Sequence, residues 1–418
     1  MRVALLSLHT CPMATLGGKK TGGMNVYVRE LSHELAKRGI QVDIFTRLQD
    51  SCASHLDQQP PIEGLRLVHI QAGAPDITST AQMSEYVDEF TEGVLAYATE
   101  HAATYDVIHS HYWLSGQAAR QLSCAWNVPF LQMFHTLGHM KNRIALGPEE
   151  MEPEIRLTVE YQVMADADLL IAATPAEKIQ LMWLYQADMH KIRVIPPGVD
   201  TGTFHPIPKI EARRVINATM DDKLLVFVGR NERLKGLDTL LQAMALVRDG
   251  QPKVDHLHLY AISGFSEDNG AEDEEFERLL ARREELGLEG LVTFLGARSQ
   301  QTLQYYYAAA EAVIMPSHYE SFGMVALEAM ACGTPVIASE VGGLAYLIQD
   351  GVTGFHVPDQ EPDELAGKIR LILENDDLRL EMSGAAVRSA QRYTWPLVTD
   401  QIMAAYREVI LKKQTPSK

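Results

Sequence analysis

The stretch AVIMPSHYESFGMVALEAMACGTPVIAS, residues 312–339, reads as a strand, a loop, a helix and a second strand. Ala312–Pro316 and Pro335–Ser339 are short apolar runs, and Ser321-Phe322-Gly323 opens the helical segment between them. Two strands joined through a helix run parallel, because the helix carries the chain back along the sheet face. The same alternation extends upstream through LLVFVG (224–229), LHLYAIS (257–263) and VTFLG (292–296).

The first half of the chain repeats the pattern. Arg2–Leu8 is an apolar run, followed by a Gly-rich loop and a helical stretch over Met24–Lys37 that stops at Gly39. Strand-like runs follow at Gln41–Thr46, Leu65–Ile70, Val107–Ser110, Phe130–Phe134, Leu169–Ala172 and Lys191–Ile195. Between the halves lies Pro196-Pro197-Gly198-Val199-Asp200, with Pro206 and Pro208 just beyond. Paired prolines suit neither helix nor central strand, so this segment is a connector. The fold expected is α/β: two Rossmann-like, doubly wound domains, 1–197 and 198–395. Trp395–Leu411 reads as an amphipathic helix and Lys412–Lys418 as a frayed tail.

Composition narrows the function. At 418 residues the length suits two or three domains, and 46% hydrophobic against 22% charged residues can fill proper cores. The net charge of −18 makes non-specific nucleic-acid binding a poor expectation. Cys11, Cys52, Cys124 and Cys332 stand far apart with no CxxC pair, which argues against a disulfide scaffold or structural zinc. No apolar run is long enough to span a membrane, and the run before His9 is too short for a signal peptide. A cytoplasmic protein is expected.

Three features carry chemistry. In GGKKTGGMNVYV (17–28), Gly22 and Gly23 precede a helix start. There bare backbone N–H groups and the positive end of the helix dipole suit a phosphate. No GxGxxG follows the first strand, which disfavours a nicotinamide or flavin site. In VGRNERLKG (228–236), Arg230 leaves a buried strand and Lys235 follows five residues later. Two fixed cations at a strand's carboxyl end can neutralise a diphosphate leaving group. In the third feature, Glu320 precedes the helix and Glu328 lies inside it. If helical throughout, their backbones are ~12 Å apart along the axis, about the length of a diphosphate with a ring at each end. One carboxylate then serves the hydroxyls of a sugar and the other those of a ribose. Taken singly, each of these residues is as well explained as a turn or a solvated charge.

Together with HSHYWLSG (109–116) and FHTLGHMKN (134–142), these motifs resemble the retaining glycosyltransferases of family four over nearly the whole chain. They are similar to the subgroup of inositol-phosphate N-acetylglucosaminyltransferases and sucrose-phosphate synthases. The resemblance implies the GT-B fold, two Rossmann-like domains facing a cleft, with the terminal helix (396–418) packed back on the first domain. It implies an N-terminal acceptor-binding domain, a C-terminal nucleotide-sugar-binding domain, and transfer from a UDP-sugar to a small phosphorylated acceptor. Gly22 and Gly23 would face the donor diphosphate, and Arg230 and Lys235 would bind it. Glu320, Phe322, Gly323 and Met324 would contact sugar or phosphates, Glu328 the ribose, and His135 would lie beside the reacting carbon. Asn25, Tyr112, Thr136 and Arg156 match acceptor positions. The subgroup's acceptor-phosphate lysine has no counterpart in Asp76–Glu85. No cofactor and no metal are implied, the nucleotide sugar being substrate. A homodimer is compatible with the sequence, which does not fix the oligomeric state. The rival readings are sucrose-phosphate-synthase-like transfer to fructose 6-phosphate and a non-catalytic sugar-nucleotide-binding subunit. A phosphorylase is disfavoured by the lack of a pyridoxal-phosphate lysine motif.

Other features read as structural. Asp166-Ala167-Asp168 imitates a DxD metal motif but falls where a helix meets a strand. His109 and His111 read as core histidines, Tyr305–Tyr307 as core, and the acidic Glu267–Glu285 as a solvated loop and helix face.

Overall fold

A computed structural model describes residues 1–14, 22–49, 62–77, 79–264 and 274–415. Gly17–Thr21 of the glycine-rich loop, Cys52, residues 267–273 of the acidic stretch and the last three residues lie outside them.

The chain forms two compact units, one drawn from residues 1–197 and 395–415 and the other from 198–394. Both ends of the second unit meet, since Val199 N–H donates to the Tyr393 carbonyl (2.7 Å) and Val199 pairs with Thr394.

The first unit holds a seven-stranded sheet: β1 (Arg2–Leu6), β2 (Gln41–Arg47), β3 (Leu65–Ile70), β4 (Val107–His111), β5 (Phe130–Met133), β6 (Leu169–Ala172) and β7 (Ile192–Val194). Their order is β3-β2-β1-β4-β5-β6-β7, with every neighbouring pair parallel. Helices cover both faces, so the central strands are buried along their length: Val3, Leu5, Val107 and Leu131 are fully buried, and so are the polar His109, Ser110 and Gln132. Phe90, Trp113, Phe130 and Phe134 fill one face, each contributing about 1.5–3 kcal/mol by burial.

The second unit repeats the plan with β8 (Lys223–Val228), β9 (Leu257–Ile262), β10 (Val292–Leu295), β11 (Ala312–Met315), β12 (Val336–Ser339) and β13 (Gly354–Val357). The order is β10-β9-β8-β11-β12-β13, again all parallel. Strand β13 is absent from the sequence reading. Its four residues, Gly-Phe-His-Val, carry no usable periodicity, and it pairs with β12 at the sheet edge.

The strand order reverses once in each sheet, between β1 and β4 and between β8 and β11. At such a switch point the loops leaving the carboxyl ends diverge to opposite faces and open a crevice, where open α/β sheets bind ligands.

Terminal boundaries differ from expectation in two places. The first strand ends at Leu6, because Ser7 Oγ donates to the Thr10 carbonyl (2.7 Å) and starts a loop. The last helix runs over Trp395–Gln414, so Lys412 and Lys413 are helical; Lys412 pairs with Glu408 at 2.6 Å. This helix packs on the helix Gly23–Lys37, and Arg193 holds Glu408 at 2.6 Å.

In the second unit, buried Glu311 gathers Lys209 (2.6 Å), Arg379 (2.9 Å) and Arg213 (3.2 Å), the last 1% exposed. Removing the carboxylate strands buried positive charge. Glu311→Ala is expected to cost about 3–5 kcal/mol, read as a lower urea midpoint; an unchanged midpoint would contradict this account.

Candidate functional site

In the second unit the expected residues stand at the carboxyl ends of β8 and β11, on either side of the switch point. Arg230 follows β8 by two residues and pairs with Glu232 at 2.7 Å. Lys235 closes the short turn Arg233–Lys235, and its Nζ pairs with Glu320 at 2.7 Å. Residues 85 apart in sequence are thus brought into direct contact, and a ligand reaching either one meets both.

The Glu320 backbone is fixed by two glycines that the sequence analysis passed over. Gly343 N–H donates to the Glu320 carbonyl at 2.8 Å. A Cβ on Gly342, which has φ +47°, would lie 2.1 Å from that same oxygen. Only glycine admits so close a backbone approach in the left-handed region. The pair Gly342-Gly343 after β12 was the available signal.

The helix Met324–Ala331 opens from Gly323, itself at φ +105°, while Phe322 buries its ring against Tyr393 at 6.0 Å and offers only backbone. Glu320 therefore precedes the helix, and the axial rise assumed from the sequence holds only from Met324 to Glu328. Glu328 is buried and accepts from the Tyr307 hydroxyl (2.9 Å) and Gln300 Nε2 (3.2 Å). Tyr307 is core, as read, but it also orients this carboxylate.

In the first unit, Gly22 precedes the helix Gly23–Lys37. Asn25 Oδ1 accepts from Gly22 N–H (3.0 Å), and its Nδ2 donates to Thr10 Oγ1 (2.9 Å) and the Cys11 carbonyl (2.8 Å). Both amide protons are committed, so Asn25 shapes the loop and is not joined to the other three expected acceptor residues. A short polar side chain three residues into a helix was the signal for such a cap.

Those three are joined. Arg156 is fully buried, and all five of its N–H groups are engaged. Nε donates to Glu160 (2.8 Å), Nη1 to the Tyr112 hydroxyl (3.1 Å) and to Glu152 (3.0 Å). Nη2 donates to the Thr136 carbonyl (2.8 Å) and Oγ1 (3.1 Å). The Arg156 guanidinium is thus spent on protein partners, and the groups it orients are the hydroxyls of Tyr112 and Thr136. Tyr112 and Thr136 both accept from Arg156 and keep their own O–H protons free of any partner among the described residues. The i,i+4 spacing of Glu152, Arg156 and Glu160 announced the ion-pair ladder, which the sequence analysis missed.

Tyr112 (φ +73°) and His135 (φ +61°) sit in the left-handed region right after β4 and β5. Bulky residues held there cost about 1–3 kcal/mol and concentrate at functional sites. His135 Nε2 lies 3.0 Å from His111 Nδ1, and His109 Nδ1 lies 2.8 Å from the Tyr406 hydroxyl. Burial lowers His135 and His109 to about 3 and His111 well below the usual imidazole value, so all three are neutral at pH 7. The Asp166 carboxylate is taken by Arg120 (2.6 Å), and Asp168 accepts from the Phe130 N–H (2.9 Å).

Models of two families match the chain: glycosyl transferases group 1 over residues 208–388, and the glycosyl transferase 4-like domain over residues 22–198. A D-inositol 3-phosphate glycosyltransferase of Actinosynnema mirum is 39% identical over 97% of this chain and 96% of its own length. One from Kribbella flavida is 40% identical over 97% and 95%. Among solved structures, a sucrose-phosphate synthase from Thermosynechococcus elongatus superposes with a TM-score of 0.87 at 34% identity, covering 99% of this chain and all of that one. Anabaena HepE, solved with UDP, shares the GT-B fold at a TM-score of 0.75 and 21% identity, over 98% of this chain and all of its own. No helix among the described residues is long and apolar enough to cross a membrane.

The buried histidines set a pH dependence. Each stays neutral when folded but gains a proton below ~6.5 when unfolded, so its contribution is complete above that pH and is lost as pH falls. Buried Glu177, raised to about 7, acts oppositely: it keeps its proton when folded while the unfolded state ionises. The two fully buried imidazoles, His109 and His111, against one carboxyl leave one proton, or about 1.4 kcal/mol lost per pH unit on acidifying from ~6.5 to ~4.5. Urea unfolding across this range checks it; a flat profile would exclude neutral buried His109 and His111.

Proposed function

The chain belongs to the glycosyltransferases that include the D-inositol 3-phosphate enzymes, is itself a glycosyltransferase, and on that premise we propose that it moves a sugar from a UDP-sugar, with retention, to a small phosphorylated polyol. The observation that carries the acceptor class is the Arg156 cluster: two hydroxyls, polarised by one buried guanidinium, present O–H donors in a constellation suited to a phosphate monoester. The second unit takes the donor and the first the acceptor. Lys235 and Arg230 meet the diphosphate, exchanging their present carboxylate partners for it, and Glu320, released from Lys235, accepts from sugar hydroxyls. Gly22, Gly23, Phe322, Gly323 and Met324 offer backbone to phosphates or sugar, and Glu328, steadied by Tyr307, takes the ribose diol.

In the reaction the bond from the anomeric carbon to the β-phosphate oxygen breaks, and its electron pair leaves with UDP. Arg230, Lys235 and the helix N-terminus at Met324 stabilise that developing charge. The acceptor hydroxyl forms the new bond from the same face, through an oxocarbenium-like state, and its proton passes to the departing phosphate oxygen. His135, neutral across the physiological range, is beside the reacting carbon on this reading and does not cycle a proton.

A second reading takes fructose 6-phosphate as acceptor. It is favoured by the likeness to a sucrose-phosphate synthase. Both acceptors are phosphate monoesters, so offering inositol 3-phosphate and fructose 6-phosphate in parallel with a UDP-sugar, and weighing the products by mass, separates them. Efficient transfer to a neutral sugar instead would refute the phosphate reading.

Lys235→Ala is expected to cost about 2–4 kcal/mol in kcat/KM, as for removing a donor aimed at developing charge. Glu320→Gln should cut turnover while UDP affinity stays close to wild type. Tyr112→Phe is expected to raise acceptor KM about 10–100-fold and leave slow donor hydrolysis intact, since one hydrogen bond to a charged group is worth about 1.5–3 kcal/mol. Activity should survive exhaustive EDTA; loss with rescue by Mg or Mn would return Asp166 and Asp168 to consideration.

A further inference from the structure

Among the described residues the His135 imidazole makes one hydrogen bond, through Nε2 to His111 Nδ1 at 3.0 Å. Its Nδ1 has no partner among them and is not buried, and His135 as a whole is partly exposed. His111 is fully buried at the end of β4, and its own Nε2 is buried with no partner among the described residues. One proton lies between the two rings, and two arrangements are open. If His135 donates, His111 must carry its second proton on Nε2, leaving a buried N–H with no acceptor. If His111 donates, what is left in the core is a bare nitrogen lone pair. Orphaned buried N–H groups are the rarer defect in folded proteins.

We propose that His111 is a positioning residue whose Nδ1–H donates to His135 Nε2, fixing His135 as the Nδ1–H tautomer with that N–H turned outward as a donor. The positive φ of His135 swings the ring off the end of β5, and the rings of Tyr27 (5.3 Å between centroids) and His111 (5.1 Å) hold it there. The inference rests on the reading that His135 faces the transferred sugar. There a neutral N–H can bind a sugar hydroxyl oxygen without setting a cation beside the carbon where positive charge develops. An Nδ1 lone pair would accept instead of donate.

The full chain with 15N-labelled histidine tests this by long-range 1H–15N correlation, the His135 signals being those lost in His135→Gln. Wild type should show a protonated Nδ1 and a bare Nε2, and the reverse pattern overturns the proposal. His111→Leu should shift His135 toward the Nε2–H tautomer and lower kcat about tenfold, with KM for the UDP-sugar within about twofold. His111→Asn places an amide N–H near the position of Nδ1 and should restore most of kcat. Wild-type turnover in His111→Leu overturns the role. If that variant does not fold, the wild-type tautomer decides alone. A wild-type chain that transfers sugar from no nucleotide donor would defeat the proposed function while leaving the tautomer result standing.

Discussion

A parallel sheet covered by helices on both faces leaves its chemistry one place to go. Its strands are buried on both faces, its helices spend their inner faces on the sheet, and the loops at the strand ends are left to meet a ligand. In both units the strand order reverses once, between β1 and β4 and between β8 and β11. The functional candidates follow from that constraint. Asn25 lies beyond β1, Tyr112 follows β4, His135 and Thr136 follow β5, Arg230 and Lys235 follow β8, and Glu320 follows β11. Each is a polar residue set beyond the carboxyl end of a strand.

At those edges the charges are held before they are used. Lys235 and Glu320 are each other's partner, Arg230 has Glu232, and Arg156 is enclosed by Glu152, Glu160 and two hydroxyl residues. A buried guanidinium left bare would be costly, so Glu152, just before the helix Glu154–Asp166, and Glu160 on it are a condition for Arg156 being there at all. The same bonds fix where Tyr112 and Thr136 point. Orientation of a site and neutralisation of a buried charge are here one set of contacts.

The histidines show the opposite solution. Where no carboxylate is supplied, burial keeps His109, His111 and His135 neutral, and their roles reduce to which nitrogen carries the proton. Glu177, also buried, is driven toward its protonated form by the same loss of solvation. Around Tyr27 this unit thus packs His111 and His135 as polar side chains without charge.

The sequence by itself determined the alternation of strand and helix, the connector near residue 200, and the motif residues of both units, because period, punctuation and local spacing are written within about 30 residues of each other. It singled out Arg230, Lys235, Glu320 and Glu328 by local spacing, while Tyr112, Thr136 and Arg156 came from the resemblance to a family. It missed β13, whose four residues take their strand character from pairing with β12 and not from any pattern of their own. It missed that Lys235 and Glu320 touch, that Gly342 exists to let the chain pass the Glu320 carbonyl, and that Arg156 bonds Tyr112 and Thr136. The resemblance grouped Asn25 with those three, and it gave no sign that the Asn25 amide ties Gly22 to Thr10 and Cys11. These were decided only by tertiary structure, since a hydrogen bond between residues tens of positions apart depends on strand order, and strand order is fixed by packing and not by any one segment.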